Sequence, residues 1–246
     1  MSKPVNVICM KWGTKFNGPY VNNLFSMVQR HLTIPHRFVC FTDDNTGFLE
    51  GVESFPLPLE NLSKNVVEAS WNKVAMFSKQ LADLEGPTLF FDLDILIVNN
   101  IDGFFEFDTG AFCMIDDWIK ETEGNSSTLR FEIGKYSEIL DYFLEHQEEV
   151  RTKYRGDQTY TSEKIREIGE LHYWPKGWCC SFKHHCLPKW PMNWWQTATL
   201  PRDAKIIIFH GIPNPHEAQR GTRSKWRRVR PVPWIKDHWR TDVETS

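Results

Sequence analysis

Two aspartates, Asp92 and Asp94, stand one residue apart in the run Thr88-Leu89-Phe90-Phe91-Asp92-Leu93-Asp94-Ile95-Leu96-Ile97-Val98. The apolar residues on either side read as buried strand, where an ionised carboxylate is strongly disfavoured unless it is paired or bound to a cation. Side chains alternate along an extended chain, so Asp92 and Asp94 are expected on one side and Leu93 on the other. Both acids can then face one hard divalent ion, Mn2+ or Mg2+, with coordination positions left for phosphate oxygens. The plainer reading of any Asp-x-Asp is a strand running out into a polar turn with two solvated acids. A second candidate ligand, His210, directly follows the apolar run Lys205-Ile206-Ile207-Ile208-Phe209 and precedes Gly211, Pro213 and Pro215. Its backbone is constrained and its imidazole can complete a metal's ligand set; taken alone, a hydrogen-bonded turn histidine is the commoner case.

The elements that must hold these groups alternate in type. Val5 to Met10 is an apolar run ending at Lys11-Trp12-Gly13, and Tyr20 to His31 carries Tyr20, Leu24, Met27 and Val28 at helical spacing. Arg37 to Phe41 follows as a strand ending at Thr42-Asp43-Asp44, and a short strand is expected near Val52 to Phe55. Ala69 to Leu84 reads as a helix through Val74, Phe77, Leu81 and Leu84. This β-α-β-β-α-β order predicts an α/β fold with a mixed, mainly parallel sheet and helices on both faces, where ligands gather at the carboxyl ends of strands. Trp12-Gly13, Asp43-Asp44 and Asp92 to Asp94 all fall at such ends. Farther on, Ala111 to Ile115 reads as a strand and Ser137 to Tyr154 as a helix with Leu140, Phe143, Leu144 and Val150 inward. Lys205 to Phe209 is a short buried strand.

With 246 residues and 41% hydrophobic content, the chain can bury one large core, and no linker or internal repeat divides it. The net charge is −3, yet Arg220, Arg223, Lys225, Arg227, Arg228, Arg230, Lys236 and Arg240 crowd one stretch against the single acid Asp237. Such asymmetry points to an anionic contact: ligand phosphates, a membrane surface or nucleic acid. Within this stretch Trp226 and Trp234 interleave with the basic side chains, which suits an anionic membrane interface or a lipid-linked or phosphorylated acceptor. The bland alternative is a solvated extension anchored by the two indoles, and Pro231 and Pro233 weaken any continuous helix. No nucleic-acid-binding module is recognisable, so nucleic acid is not expected. The N-terminus lacks a signal-peptide pattern and no stretch approaches the roughly 20 apolar residues of a membrane span, so a cytoplasmic protein is expected, with its six cysteines reduced and mostly buried.

Trp178-Cys179-Cys180-Ser181-Phe182-Lys183-His184-His185-Cys186 packs three cysteines and two histidines together, which invites a zinc reading. The spacing is not a paired C-x-x-C pattern, so a loop near an acceptor pocket is preferred. Trp174, Trp178, Trp190, Trp194 and Trp195 surround it, either as a stacking platform for sugar rings or as packing in a loop-rich region.

The ordered set of "WG" after the first strand, "WNK" before the acidic strand, "FFDLDILIVNNID", "NSS" near Asn125, "GDQ" at Gly156-Asp157-Gln158 and "FHG" at His210 resembles a nucleotide-sugar glycosyltransferase of the Rossmann-like GT-A fold. It is most similar to family 8, the glycogenin-like and lipopolysaccharide galactosyltransferase group, over about Val5 to Pro215. The resemblance implies a metal-dependent hexosyl transfer, with net retention, from a nucleotide-sugar, UDP-linked as the first expectation, to a glycan or lipid-linked acceptor. It implies one domain over 1–222, with a nucleotide-binding half (1–98) and an acceptor half (99–222), followed by the basic extension 223–246. By the same resemblance Asp92, Asp94 and His210 are the metal ligands, and Lys73 approaches the donor sugar and phosphates. Asn125 and Ser126 line the sugar pocket, and Asp157 and Gln158 stand beside the anomeric carbon. Trp12, Gly13, Asp43 and Asp44 fall where the family holds the nucleoside, and Gly211 sits at the diphosphate. One position departs: the family's lysine after His-Gly is here Asn214, which can hydrogen-bond a phosphate but cannot neutralise it. Arg220, Arg223 or Lys225 are the nearby substitutes.

Two other functions compete. A haloacid-dehalogenase-like phosphohydrolase would use Asp92 as nucleophile, although its motif usually follows the first strand and is not followed by Ile95-Leu96. A non-catalytic sugar-binding module would account for the tryptophans and leave Asp92, Asp94 and His210 without a role.

Overall fold

The computed structural model describes residues 4–59, 66–119, 123–223 and 228–241, with the backbone alone over 66–69. Strands β1 (Val5–Lys11), β2 (His36–Thr42), β3 (Glu53–Phe55) and β4 (Pro87–Phe91) form one half of a seven-stranded sheet. After β5 (Ile95–Ile97), the strands β6 (Phe112–Asp116), β7 (Gly124–Glu132) and β8 (Leu171–Tyr173) complete it in the order β3-β2-β1-β4-β7-β6-β8. Every neighbouring pair is parallel except those made by β7, which runs against both β4 and β6. The mixed, mainly parallel sheet expected from the element order is therefore present.

Period-2 alternation divides the core between the two faces of this sheet. Val7, Cys9, Phe38, Cys40, Leu89 and Phe91 pack on one side with helix α1 (Gly18–His31). Ile8, Met10, Val39, Phe41 and Phe90 pack on the other, against the segment Val66–Phe77. α1 starts with Pro19 in its first turn, buries Val21, Leu24, Met27 and Val28 on one stripe, and carries Arg30 in its last turn, whose charge suits the negative end of the helix.

β5 leaves the main sheet. With β9 (Cys179–Ser181) and β10 (Ile206–Ile208) it makes a second, three-stranded sheet in the order β5-β10-β9, β5 antiparallel and β9 parallel to β10. Asp92 and Asp94 accordingly lie in the turn by which the chain passes between sheets, not within one continuous strand to Val98. The expected helix over Ala69 to Leu84 is also different: Val66–Phe77 is a 3-10 helix, followed by turns in which Ala82 has φ +50°. Its three-residue repeat brings Trp71, Val74 and Phe77 onto the core side and Ser70 and Lys73 onto another. The expected helix over Ser137 to Tyr154 is two, α3 after the short α2 (Gly103–Glu106), spanning Ser137–Glu145, and α4, spanning Gln147–Lys153, with the break at His146. The break leaves Leu144 exposed, while Leu140, Phe143 and Val150 are buried as expected. β7 has no counterpart among the expected elements, since the polar run Asn125-Ser126-Ser127-Thr128 carries no apolar alternation; pairing on both edges satisfies its backbone.

Asp102 clamps the turn after α1 to the connection after β5. Its Oδ1 accepts from the Thr33 N–H at 2.7 Å, and its Oδ2 accepts from Thr33 Oγ1 at 2.5 Å and Asn100 Nδ2 at 3.0 Å. Burial works against its charge, but the bonds from Thr33 and Asn100 outweigh it and hold the carboxyl below the ordinary aspartate range. A depressed folded-state pKa gives stability that is present above the unfolded value of about 4 and is lost as pH falls through the folded value. Asp102→Ala is expected to cost about 1–2 kcal/mol at pH 7. Urea titrations should show that difference shrinking below about pH 4; a pH-independent difference would rule out the charged clamp.

Candidate functional site

Two sheet registers bring distant motifs to one place. β4 pairs with β7 so that Phe91 lies opposite Thr128, and the Asp92 N–H then donates to the Ser127 carbonyl at 3.0 Å. This sets Asn125 and Ser126 beside the acid pair. In the small sheet, β10 pairs with β5 so that Ile208 lies opposite Ile95, and the Phe209 N–H donates to the Asp94 carbonyl at 3.0 Å, which carries His210 to the same edge. Helix α5 (Asp157–Glu167) packs across β7 and starts at the site, with Asp157 as its first residue. Lys73, Asp92, Asp94, Asn125, Ser126, Asp157, Gln158 and His210 all line one cavity of about 440 Å³.

Inside it the charges are tightly coupled. Lys73 Nζ lies 2.6 Å from Asp92 Oδ1 and donates to Oδ2 at 2.8 Å. Burial works against the ammonium, but Asp92, Asp157 and Asp94 together outweigh it and hold Lys73 above the usual lysine range. Burial first, then the neighbouring Asp92 charge, push the Asp94 carboxyl up to about 7, with Lys15 and Lys73 acting in the opposite direction. Asp157 is raised by burial and by Asp92, against Lys73 and the hydroxyls of Ser126 and Ser70; Ser126 Oγ donates to its Oδ2 at 2.8 Å. Glu123 and Arg155 add one charge of each sign to the lining. Reading the sequence passed over Lys15, Ser70 and Glu123, none of which lies in a recognisable motif.

The expected nucleoside residues form a neighbouring group outside that cavity lining. Lys11 at the end of β1 lies opposite Thr42 at the end of β2, so Trp12-Gly13 and Asp43-Asp44 emerge side by side. The Gly13 N–H donates to Asp43 Oδ2 at 2.8 Å, and buried Lys11 donates to the Asp44 carbonyl at 2.8 Å. Gly211 adjoins His210, and Asn214 is the N-cap of helix α6 (Pro215–Arg220), its N–H donating to Glu217 Oε2 at 2.7 Å.

Two carboxylates and an imidazole suit a hard divalent cation in kind, and the cost of burying Asp94 is what such a cation would relieve. Their arrangement differs from a closed ligand set: among the described residues no three His, Cys, Asp or Glu side chains converge closely enough to hold a metal. Asp92 is held by Lys73. His210 Nε2 lies 2.6 Å from Ser181 Oγ, and its ring is stacked between Trp118 and His184, each at 5.7 Å. The zinc reading of Cys179 to Cys186 has no support in the geometry, because Cys179, Cys180 and Cys186 point into the core while His184 and His185 are exposed. Burial raises all three thiols, Cys186 to about 12.

A second cavity, about 230 Å³, lies on the other side of the Trp118–His210 stack and is lined by Asp116, Asp117, Trp118, Trp174 and His185 among others. The five tryptophans do not make one platform. Trp174 and Trp178 pack on Phe104 at 4.7 and 5.2 Å, whereas Trp190, Trp194 and Trp195 are exposed elsewhere on the surface.

No protein-family model and no curated protein matches this sequence. Solved structures do. An active-site mutant of LgtC superposes with a TM-score of 0.62 at 12% identity, covering 94% of this chain and 93% of that one. The galactosyltransferase LgtC in complex with donor and acceptor sugar analogues gives 0.55 at 15% identity over 85% of this chain and 88% of that one. The glycosyltransferase GlyE of Streptococcus pneumoniae TIGR4 gives 0.58 at 12% identity, covering 97% of this chain and 60% of the longer protein. The fold is thus the GT-A glycosyltransferase fold.

The Lys73–Asp92 pair should be worth more in its breaking than in its replacement. Lys73→Met is expected to destabilise the protein by about 3 kcal/mol, because Asp92 stays half-buried with its partner gone. Adding Asp92→Asn should return much of that loss in urea denaturation; equal stability of wild type and Lys73→Met would mean that the pair holds nothing.

Proposed function

We propose that this protein is a metal-dependent, retaining glycosyltransferase of the family 8 type, moving a hexose from a nucleotide-sugar, UDP-linked as first choice, to a glycan or lipid-linked acceptor. One observation carries the reading: eight residues from five separated stretches of sequence line a single cavity at the carboxyl edge of the sheet. In this reading residues 1–98 supply the nucleotide side and 99–222 the acceptor side, although β4 and β7 join the two in one sheet.

Breaking the sugar–phosphate bond leaves negative charge on the diphosphate and positive charge on the sugar. Asp92, Asp94 and His210 would hold a Mn2+ or Mg2+ ion, which supplies neutralisation of the departing diphosphate when bound. Lys73, held above the ordinary lysine range, stays protonated and keeps Asp92 oriented. Ser126 orients Asp157 by donating to its Oδ2, and in this reading the carboxyl group beside Gln158 offers the oxygen that an oxocarbenium-like sugar needs. Asn125 and Ser126 are buried on the cavity wall and bind the sugar hydroxyls. Trp12, Gly13, Asp43 and Asp44 hold the nucleoside from the adjacent strand ends. The smaller cavity behind Trp118 receives the acceptor, with an indole face for a sugar ring. The phosphohydrolase is less favoured, because its nucleophile Asp92 is engaged by Lys73 and follows β4 rather than the first strand.

An anionic membrane surface is the proposed working place, at its cytoplasmic side. No helix among the described residues is long and apolar enough to cross a membrane. Trp190, Met192, Trp194 and Trp195 are 80%, 48%, 43% and 72% exposed, an apolar loop of the kind that enters an interface. Arg228 lies 5.5 Å over the Trp194 ring, and Arg230 donates to the Trp194 carbonyl at 3.2 Å, so the basic segment joins this loop. Lys225, Trp226 and Arg227 lie outside the described residues.

Melting curves with UDP, GDP, ADP and CDP, each with and without Mn2+, should show a Mn2+-dependent rise with one nucleotide. Asp94→Ala and His210→Ala should lose turnover of the matching nucleotide-sugar by at least about 100-fold with the fold intact by circular dichroism. Full activity in both would sink the metal assignment, and phosphate release from simple phosphomonoesters would favour the phosphohydrolase. In sedimentation with vesicles, binding should require anionic lipid and fall when Trp190 and Trp195 are changed to Ser; equal binding to neutral vesicles would refute the charged contact.

A further inference from the structure

Position 214 does not hold the lysine that the resemblance leads one to expect. Asn214 stands in its position and is used to cap α6 with Glu217. The cavity is itself rich in acid, with Asp92, Asp94, Glu123 and Asp157 against Lys73 and Arg155, and Lys73 is already bonded to Asp92. A diphosphate brought here needs positive charge from the His210–Gly211 side as well. The substitutes expected from sequence are poorly placed or not described. Arg220 and Arg223 are exposed, at the last residue of α6 and on the strand after it, and Lys225 lies outside the described residues.

Lys183 meets the requirement. It belongs to the π-helical turn Phe182–Cys186, which directly follows β9. β9 pairs in parallel with β10, Ser181 opposite Ile208, so the residues after each strand continue side by side: Lys183 alongside His210 and Gly211. Lys183 Nζ donates to the His210 carbonyl at 2.5 Å. A Cβ placed on Gly211 would come 3.4 Å from the same Nζ, and Gly211 has φ +76°, a conformation that glycine adopts without strain. The ammonium therefore lies against a bare stretch of backbone beside the candidate metal ligand. A lysine carries three donors on a flexible stem, so one can hold a carbonyl while another turns to a phosphate oxygen.

We propose that Lys183 is the residue that meets the donor's diphosphate, supplying from β9 the charge that position 214 does not. The assignment rests on the glycosyltransferase reading. Lys183 also steadies the His210 carbonyl, so a substitution can act through structure alone, and the test must separate charge from support.

Lys183→Gln keeps a donor for the carbonyl and removes the charge; Lys183→Arg keeps the charge. Isothermal titration of wild type and both variants with UDP and with inorganic pyrophosphate, in Mn2+, reads the effect. Lys183→Gln should melt near the wild-type temperature and bind both ligands about tenfold to a hundredfold more weakly, a loss typical of one charge-assisted contact. Lys183→Arg should remain within a few-fold of wild type. Affinity of Lys183→Gln within twofold of wild type overturns the assignment, as does an equal loss in Lys183→Arg, which marks a structural role. If Lys183→Gln does not fold, the Lys183→Arg result decides in the same way. A wild-type protein that binds neither ligand removes the glycosyltransferase reading and this assignment with it; wild-type binding with an unaffected Lys183→Gln removes the assignment alone.

Discussion

The carboxyl edge of the main sheet is organised around one electrostatic constraint: Asp92, Asp94 and Asp157 are gathered where water is scarce, and Lys73 is the cation that makes the gathering tolerable. The direction of each pKa expresses this. Asp94 and Asp157 are pushed up by burial, while Lys73 is held high against burial by the three acids around it. Coulomb energies grow several-fold as the effective dielectric falls, so charges that would barely notice one another in water become a coupled set here. The local backbone follows from the same need. A 3-10 segment repeats every three residues, and that repeat lets Trp71, Val74 and Phe77 fill the core while Ser70 and Lys73 face Asp157 and Asp92. Trp71, stacked on Phe143 at 5.0 Å, fixes the segment's rotation and hence the direction of Lys73.

The second constraint is register. Pairing of β5 with β10, and of β10 with β9, is what brings stretches more than eighty residues apart into one edge. A slip of one residue would turn alternate side chains to the opposite face. Ile95, Leu96 and Ile97 and the three isoleucines of β10 are all fully buried, so the pairing is enforced by apolar burial on both faces rather than by the polar groups it delivers. Function at this edge therefore depends on residues that carry no chemistry of their own.

These facts also separate what was legible in the sequence from what was not. β1, β2, β4 and α1 could be read because their buried residues repeat at two or at three to four positions, and Asp92 and Asp94 because acids are conspicuous among apolar neighbours. The premise of an extended chain through Asp92 to Asp94 was wrong, since the chain turns there between sheets, yet both acids still line the same cavity because Leu93 alone is drawn into the core. β7 was hidden by its polar composition: Ser127, Thr128 and Arg130 are buried because a central strand pairs on both edges, and Arg130 donates to the carbonyls of Phe104 and Ala111. No local pattern announces a partner of that kind. The helix expected at Ala69 to Leu84 failed because Trp71, Val74 and Phe77 fit a period of three as well as one of 3.6 over so short a stretch. Lys183 carries no signal of its own in a run whose cysteines and histidines are the residue types of a zinc site.

The stack of Trp118 on His210 joins the linings of the two cavities, and under the proposed function this bears on how donor and acceptor sides relate. Trp118 is fixed from behind by its indole N–H, which donates to the Cys179 carbonyl at 3.1 Å, and Cys179 lies in β9, the strand that leads to Ser181 and Lys183. Ser181 in turn meets His210 Nε2. The acid-rich cavity and the smaller aromatic one are thus connected through β9 by short contacts, and also through the main sheet, where Ile115 of β6 lies opposite Asn125 of β7. In the proposed function the charged donor would occupy the first, where cations and carboxylates are fixed by one another, and a sugar ring would lie against the indole of the second. Because His210 and Trp118 share one stack, a change in the size of either side chain alters both cavities at once; under the proposed function this pair would couple the choice of acceptor to the geometry of the donor.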